Sequence, residues 1–219
     1  MEATLNGTGR YPVLLVPGWS NRARAWRRLA SFLLSDGWPS NHVHALDFED
    51  PFGSNVRHAA EIAKAVDSML ETTRADRVDI VAHSMGGLAT RRYLADHGMR
   101  GCVRRVVFLA TPHRGTWAAL FAFGGGRREM MPGSRFLREL NGRPLHGGVE
   151  AAAVWTRLDL RILPRASAML EGGRNLLAPR VTHQGLLRNA RVHRMVCNML
   201  LEPAPARPAA VGIPEHNRA

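Results

Sequence analysis

The sequence predicts an α/β fold: a three-layer αβα sandwich built on a mostly parallel sheet. Two patterns alternate along the chain, compact apolar runs of strand length and longer stretches whose apolar residues recur at helical spacing. Strands separated by helices imply βαβ crossovers, and strands covered on both faces read as near-continuous apolar runs. The 219 residues suffice for one domain with a sizeable core.

Residues 11–16 are a compact apolar run ending at Pro17-Gly18, a strand and its turn. Residues 22–35 carry Trp26, Leu29, Phe32 and Leu33 at helical spacing, with arginines on the other face. Residues 43–48 read as a short strand. Ser54 or Asn55 is placed to cap a helix running to about Thr73, with Ile62, Val66, Met69 and Leu70 inward. Residues 77–82 are a strand, 85–96 a helix with Gly98 as its stop, and 103–110 another strand. Residues 150–156 and 176–181 carry weaker strand patterns. A last helix is expected over 184–200, offering Leu186, Leu187, Val192, Met195, Val196 and Met199 to the core. The folded unit is thus expected over 11–202, between an N-terminal extension (1–10) and a flexible Pro/Ala-rich tail (203–219).

Composition excludes several classes. Apolar residues make up 45% and charged residues 22%, which rules out a wholly disordered, collagenous or coiled-coil chain. Thirty basic against eighteen acidic residues give a net charge of +12, and Lys64 is the only lysine. A basic patch for nucleic acid or an anionic membrane is one reading. The other is a GC-rich codon bias towards Arg, Ala, Gly and Pro, which the scatter of the arginines favours; no nucleic-acid partner is expected. Cys102 and Cys197 fit no metal motif, and whether they pair is open. No apolar run reaches the ~18 residues of a membrane helix, and the first twenty residues lack a secretory leader pattern. The chain as given is expected to be cytoplasmic, or secreted if it is a mature form.

The chemistry is carried by Ala82-His83-Ser84-Met85-Gly86-Gly87, between a strand and a helix. A serine at such a turn is lifted above the sheet on a strained backbone, and small residues two before and two after it let strand and helix approach. The alternative is an ordinary turn with a solvated serine. A hydroxyl needs a general base, and the base a carboxylate to orient it; where a serine sits at such a strand-to-helix turn, the three follow along the chain as serine, acid, histidine. Of the later histidines, His183 stands after the last strand and before the final helix; His97, His113, His146, His193 and His216 fall in poorer places. Among the acids Asp96, Glu129, Glu139, Glu150, Asp159 and Glu171, Asp159 follows the run 151–155 and so falls at a strand end. Backbone N–H donors for a developing oxyanion are expected at Met85 and, because Pro17 has no N–H, at Trp19.

These residues resemble the α/β-hydrolase superfamily, and more narrowly the small bacterial class 2 lipases (triacylglycerol lipases and esterases). The likeness spans about residues 11–200 and rests on Val13-Leu14-Leu15-Val16-Pro17-Gly18, Ala45-Leu46-Asp47-Phe48, the serine motif with Val78-Asp79-Ile80-Val81 before it, and Thr182-His183-Gln184-Gly185-Leu186-Leu187. It implies an α/β-hydrolase fold with minimal or no lid, Ser84 as nucleophile, Asp159 as acid, His183 as base, and backbone donors at Trp19 and Met85. Many relatives carry His-Gly where this chain has Pro17-Gly18. The implied activity is hydrolysis of carboxylic esters, acylglycerols or other lipid esters, through an acyl-enzyme and with no metal or organic cofactor. Acyl transfer or thioester hydrolysis would use the same groups; a non-catalytic basic module is the alternative from another class. A monomer acting on a small-molecule or lipid ester is expected, with peripheral contact at a lipid interface left open. The apolar segment 112–133, around Gly124-Gly125-Gly126, reads equally as a helix buried on the sheet or as a mobile flap over an acyl groove. His113 within it reads as structural.

Overall fold

The computed structural model describes residues 9–143, 145 and 148–203. The expected tail beyond 203, residues 1–8, His146 and His216 lie outside them. The described chain runs β1 (Val13–Val16), α1 (Arg27–Ser35), β2 (Val43–Ala45), α2 (Asn55–Thr73), β3 (Val78–His83), α3 (Met85–His97), β4 (Val103–Leu109), α4 (Gly125–Met130), α5 (Arg135–Asn141), β5 (Glu150–Trp155), β6 (Arg174–Leu177) and α6 (Ala190–Leu201), with single 3-10 turns between several of them.

The six strands form one sheet in the order β2-β1-β3-β4-β5-β6, and every neighbouring pair is parallel. Side chains alternate between its faces. Val13 and Leu15 of β1 join Trp26, Leu29, Leu33, Val192 and Val196 of the layer containing α1 and α6. Leu14 and Val16 join Ile62, Val66, Tyr93 and Leu94 of the layer containing α2 and α3. A third, smaller cluster packs α4 and α5 on the start of α3 through Met85, Leu88, Met130, Leu137 and Leu140. The chain leaves β1 towards β2 and returns to β3 on the opposite side of β1. The direction of winding therefore reverses between β1 and β3, and ligands bind beyond the carboxyl ends of strands at such a point.

Ser54 caps α2 by accepting from the Arg57 N–H at 3.3 Å, and Ile62, Val66 and Met69 are buried as their spacing requires. Four expectations need correction. The last strand lies at 174–177, not 176–181: as the sheet edge it is half exposed and carries no apolar run. The last helix is broken, because the Asn189 side chain accepts from the N–H groups of Arg191 (2.9 Å) and Val192 (3.3 Å) and starts α6 anew after a 3-10 turn at Gln184–Leu187. Gly98 keeps right-handed geometry and begins a 3-10 turn; the left-handed glycine is Gly101, at φ 67°. β2 ends at Ala45. Cys102 and Cys197 are both free.

Candidate active site

Ser84 sits between β3 and α3 at φ 55°, ψ −127°, a left-handed conformation that costs about 1–3 kcal/mol for a residue with a side chain. Two contacts hold it there. Its N–H donates to the Leu109 carbonyl of the neighbouring strand at 2.9 Å, and its own carbonyl accepts from Gly87 at 3.0 Å. Position 86 must be glycine, since a Cβ there would stand 2.2 Å from the Pro17 carbonyl oxygen. The turn after β1 is correspondingly close: a Cβ at Gly18 would lie 2.9 Å from that of Ser84.

Asp159 and His183 are brought together by their loops. Leu158 and Thr182 form an isolated parallel bridge, and the Thr156 hydroxyl donates to the Val181 carbonyl at 2.6 Å. The Asp159 Oδ2 then lies 2.8 Å from His183 Nδ1, while its Oδ1 accepts from the N–H groups of Arg161 (2.8 Å) and Ile162 (2.9 Å). The carboxylate is 1% exposed, so these donors replace the water it has lost. With Nδ1 engaged, Nε2 is the imidazole nitrogen left for chemistry.

Ser84 and His183 line one cavity of about 300 Å³, with Trp19, Thr116, Phe121 and Met130 among its other walls. The N–H groups of Ser20 and Asn21 donate to the Pro51 and Gly18 carbonyls, whereas no described residue accepts from the Trp19 N–H. Met85 is the first residue of α3, where N–H groups have no carbonyl one turn earlier. The Trp19 ring is fixed: its Nε1 donates to the Phe123 carbonyl at 3.0 Å, and it meets Phe52 and Phe123 edge-on. An alcohol group, an oriented imidazole and backbone donors around one apolar cavity can carry out acyl transfer.

The residues passed over as acid or base lie elsewhere. Glu150 pairs with Arg105, Asp96 with Arg92, and Glu139 with Arg135. Glu129 accepts from the Asn55 N–H at 2.6 Å and its side-chain amide at 2.7 Å. His113 is buried edge-on against Phe108. Segment 112–133 is not a helix buried on the sheet. A 3-10 turn at Trp117–Phe121 and the short α4 stand over the cavity. Its glycines answer to close approach: a Cβ at Gly124 would meet the Phe52 carbonyl at 2.4 Å, and one at Gly126 the Met85 sulfur at 2.5 Å.

Sequence reasoning missed His83. It is fully buried, its ring lies 4.5 Å from that of His183, and its Nε2 is 3.3 Å from the His183 carbonyl oxygen. Burial above all, and then the neighbouring His183, holds its pKa well below the ordinary histidine value. A neutral His83 with its proton on Nε2 can donate to that carbonyl. The signal was present: in β3 residue 83 shares the face of Val81, the face packed by Trp26.

The model of the alpha/beta hydrolase family matches residues 13–212 of the chain. A triacylglycerol lipase of Pseudarthrobacter phenanthrenivorans is 34% identical over 118 residues, 51% of this chain and 36% of that protein. One from Burkholderia plantarii is also 34% identical over 118 residues, covering 51% of this chain and 32% of its own length. The aligned part is thus about a third of these curated relatives. Among solved structures, the mature form of Bacillus licheniformis lipase BlEst2 superposes with a TM-score of 0.77 at 15% identity, over 88% of this chain and 93% of that one. Aspergillus fumigatus lipase B gives 0.76 at 19% identity, over 90% and 54%.

Proposed function

The chain belongs to the alpha/beta hydrolase family, and from that premise we propose that it is a serine hydrolase of carboxylic esters, with acylglycerols or other lipid esters as substrates. The observation that carries this reading is the strained Ser84 at the mouth of a cavity shared with His183, whose Nδ1 is held by a buried carboxylate. Ser84 Oγ attacks the ester carbonyl while His183 Nε2 takes its proton. The carbonyl oxygen becomes an oxyanion, received by the N–H groups of Trp19 and Met85. Its collapse expels the alcohol, which takes the proton back from His183. Water, deprotonated by His183, then attacks the acyl-Ser84 ester and releases the acid. Asp159 keeps the imidazole in the productive tautomer and offsets its transient positive charge. The apolar walls supplied by Phe121, Ala122 and Met130 suit an acyl chain rather than a polar substituent, and the names of the curated relatives support the same substrate class.

The test is turnover of p-nitrophenyl esters in a chain-length series. Ser84→Ala and His183→Ala should each abolish turnover with the circular dichroism spectrum unchanged, and retained hydrolysis in either rejects the assignment. Asp159→Asn should lower kcat by about 10⁴, since it reverses the hydrogen bond that sets the tautomer.

A further inference from the structure

We propose that Arg161 selects esters whose alcohol half carries an oxyanion, a phosphate or a carboxylate, and holds that group through the reaction. The inference rests on the ester-hydrolase reading and deepens it by naming the substrate class. Arg161 lines the cavity shared by Ser84 and His183, and among the described lining residues it is the only Arg, Lys, Asp or Glu. Exposed arginines without a counterion are common on this chain; what sets Arg161 apart is its place. Residues 157–165 contain three arginines. Arg165 is engaged with the Asp159 carbonyl through Nε at 2.9 Å, and Arg157 lies outside the cavity wall. Arg161 reaches the cavity, and its guanidinium forms no ion pair with a described residue.

The backbone beneath this side chain is held on both sides. The Arg161 N–H donates to Asp159 Oδ1 at 2.8 Å, and its carbonyl accepts from the Thr116 hydroxyl at 2.8 Å. The other oxygen of the same carboxylate holds the His183 ring. The guanidinium therefore extends from a point fixed relative to the imidazole, and binding has only side-chain freedom to remove.

The chemistry of the step names the ligand. The leaving alcohol must come within hydrogen-bond reach of His183 Nε2 to take its proton. Whatever that alcohol carries lies on the His183 side of the cavity, beside Arg161 and the Gln184 amide, whereas the wall from Ala118 to Met130 is apolar and suits the acyl chain. A guanidinium is a planar fork of donors that matches phosphate and carboxylate oxygens. Its charge also bears on the reaction. Burial foremost, then His183, and then Arg161 hold the His83 pKa down, and the rings of His83 and His183 lie 4.5 Å apart. The same guanidinium thus opposes the positive charge that His183 gains in each proton transfer. An oxyanion seated on Arg161 offsets that opposition, so it assists turnover as well as binding. Asp159, 1% exposed, presents no carboxylate to the cavity that would repel it.

The experiment compares kcat/KM of the full chain on four soluble esters: 1-octanoylglycerol, its 3-phosphate, the octanoyl ester of glyceric acid at the primary hydroxyl, and the glycerol monoester of octanedioic acid. The second and third carry an oxyanion on the alcohol half, and the fourth carries it on the acyl chain. Relative to octanoylglycerol, the phosphate or the glycerate ester should gain about 10- to 100-fold, the range that hydrogen bonds to a charged group are worth; the larger gain names the preferred group. The octanedioic ester should gain nothing. In Arg161→Gln the gain should fall to about one, and in Arg161→Lys, which keeps the charge and loses the fork, part of it should return. Each gain is a ratio within one enzyme, so a general loss of activity in a variant divides out. A gain near one in the parent, a gain untouched by Arg161→Gln, or an equal gain from the acyl-chain anion overturns the proposal. Calorimetry on Ser84→Ala reads binding without turnover: the phosphate or glycerate ester should bind more tightly than octanoylglycerol, and adding Arg161→Gln should abolish the difference. Equal affinities overturn the proposal even if no ester is cleaved, so its failure and that of the hydrolase reading are distinguishable.

Discussion

The two ends of the sheet handle charge in opposite ways. At the amino ends of the strands arginines are buried and paired. Arg104 is 6% exposed and Asp79 1%; the guanidinium reaches the carboxylate through Nε at 2.9 Å, donates to the Leu200 carbonyl at 2.6 Å, and lies over the Tyr11 ring. Arg105 beside it is paired with Glu150. At the carboxyl ends Arg161, which lines the cavity, is exposed and in no ion pair with a described residue, and the buried His83 of the same cavity is held uncharged. A buried charge must bring a counterion or polar acceptors, as the buried Arg91 does with the Asn141 side chain and the Leu140 carbonyl, whereas one left in water need not. The same residue type therefore serves structure at one end and remains available to a partner at the other, and the net charge of the chain is not a uniform property of its surface.

The comparison breaks if the two populations cost the same to remove. Arg104→Ala should destabilise the protein by about 3–5 kcal/mol, because it leaves the Asp79 carboxylate buried without its hydrogen-bonded partner. Burial already raises the Asp79 pKa, and the Arg104 hydrogen bond and charge oppose that rise. Arg127→Ala should stay within about 0.5 kcal/mol of the parent, as an exposed side chain without an ion pair. Urea unfolding at neutral pH measures both. Similar midpoints for the two variants would mean that the buried pair contributes nothing beyond a surface contact.

The sequence made the strand ends legible, and with them most of the site. Ser84, Asp159 and the Pro17-Gly18-Trp19 turn were singled out because each follows an apolar run, and His183 because it follows a strand, expected at 176–181 and lying at 174–177; in a parallel sheet all such places lie on one side. What escaped were features set by contacts distant in sequence. Asn189 is a good capping residue, yet Leu186 and Leu187 continue the apolar spacing before it, so the break in the last helix was hidden. The edge strand β6 has one neighbour and mixed exposure, which gives it no periodic signature. The triple glycine read equally as part of a hinge or of a buried helix; what residue types did not reveal is the approach of Phe52 to Gly124 and of Met85 to Gly126, more than thirty residues away in each case. The anchoring of Asp159 by the N–H groups of Arg161 and Ile162 is a property of backbone path, which residue types alone do not reveal.

A finer test of the same contrast lies in pH. On the α2–α3 side of the sheet, close to the carboxyl end of β4, His113 is 2% exposed, and burial foremost, then the nearby charges of Arg91 and Arg114, hold its pKa well below the ordinary value. In the unfolded chain the same imidazole takes up a proton near pH 6.5. Below that pH the unfolded state binds more protons than the folded one, so stability falls as the medium is acidified, by up to about 1.4 kcal/mol per pH unit for each such histidine. Above pH 7 both states are neutral and the dependence vanishes. His83 follows the same sign. Urea midpoints measured from pH 7.5 down to pH 5 should fall accordingly; those limits are chosen to span the histidine range of roughly 6.5. His113→Leu removes one titrating group and should make the acid limb shallower by about that single-histidine slope, at whatever cost in absolute stability the substitution brings. An unchanged acid limb in this variant would mean that His113 is protonated in the folded protein, beside the buried Arg91 guanidinium.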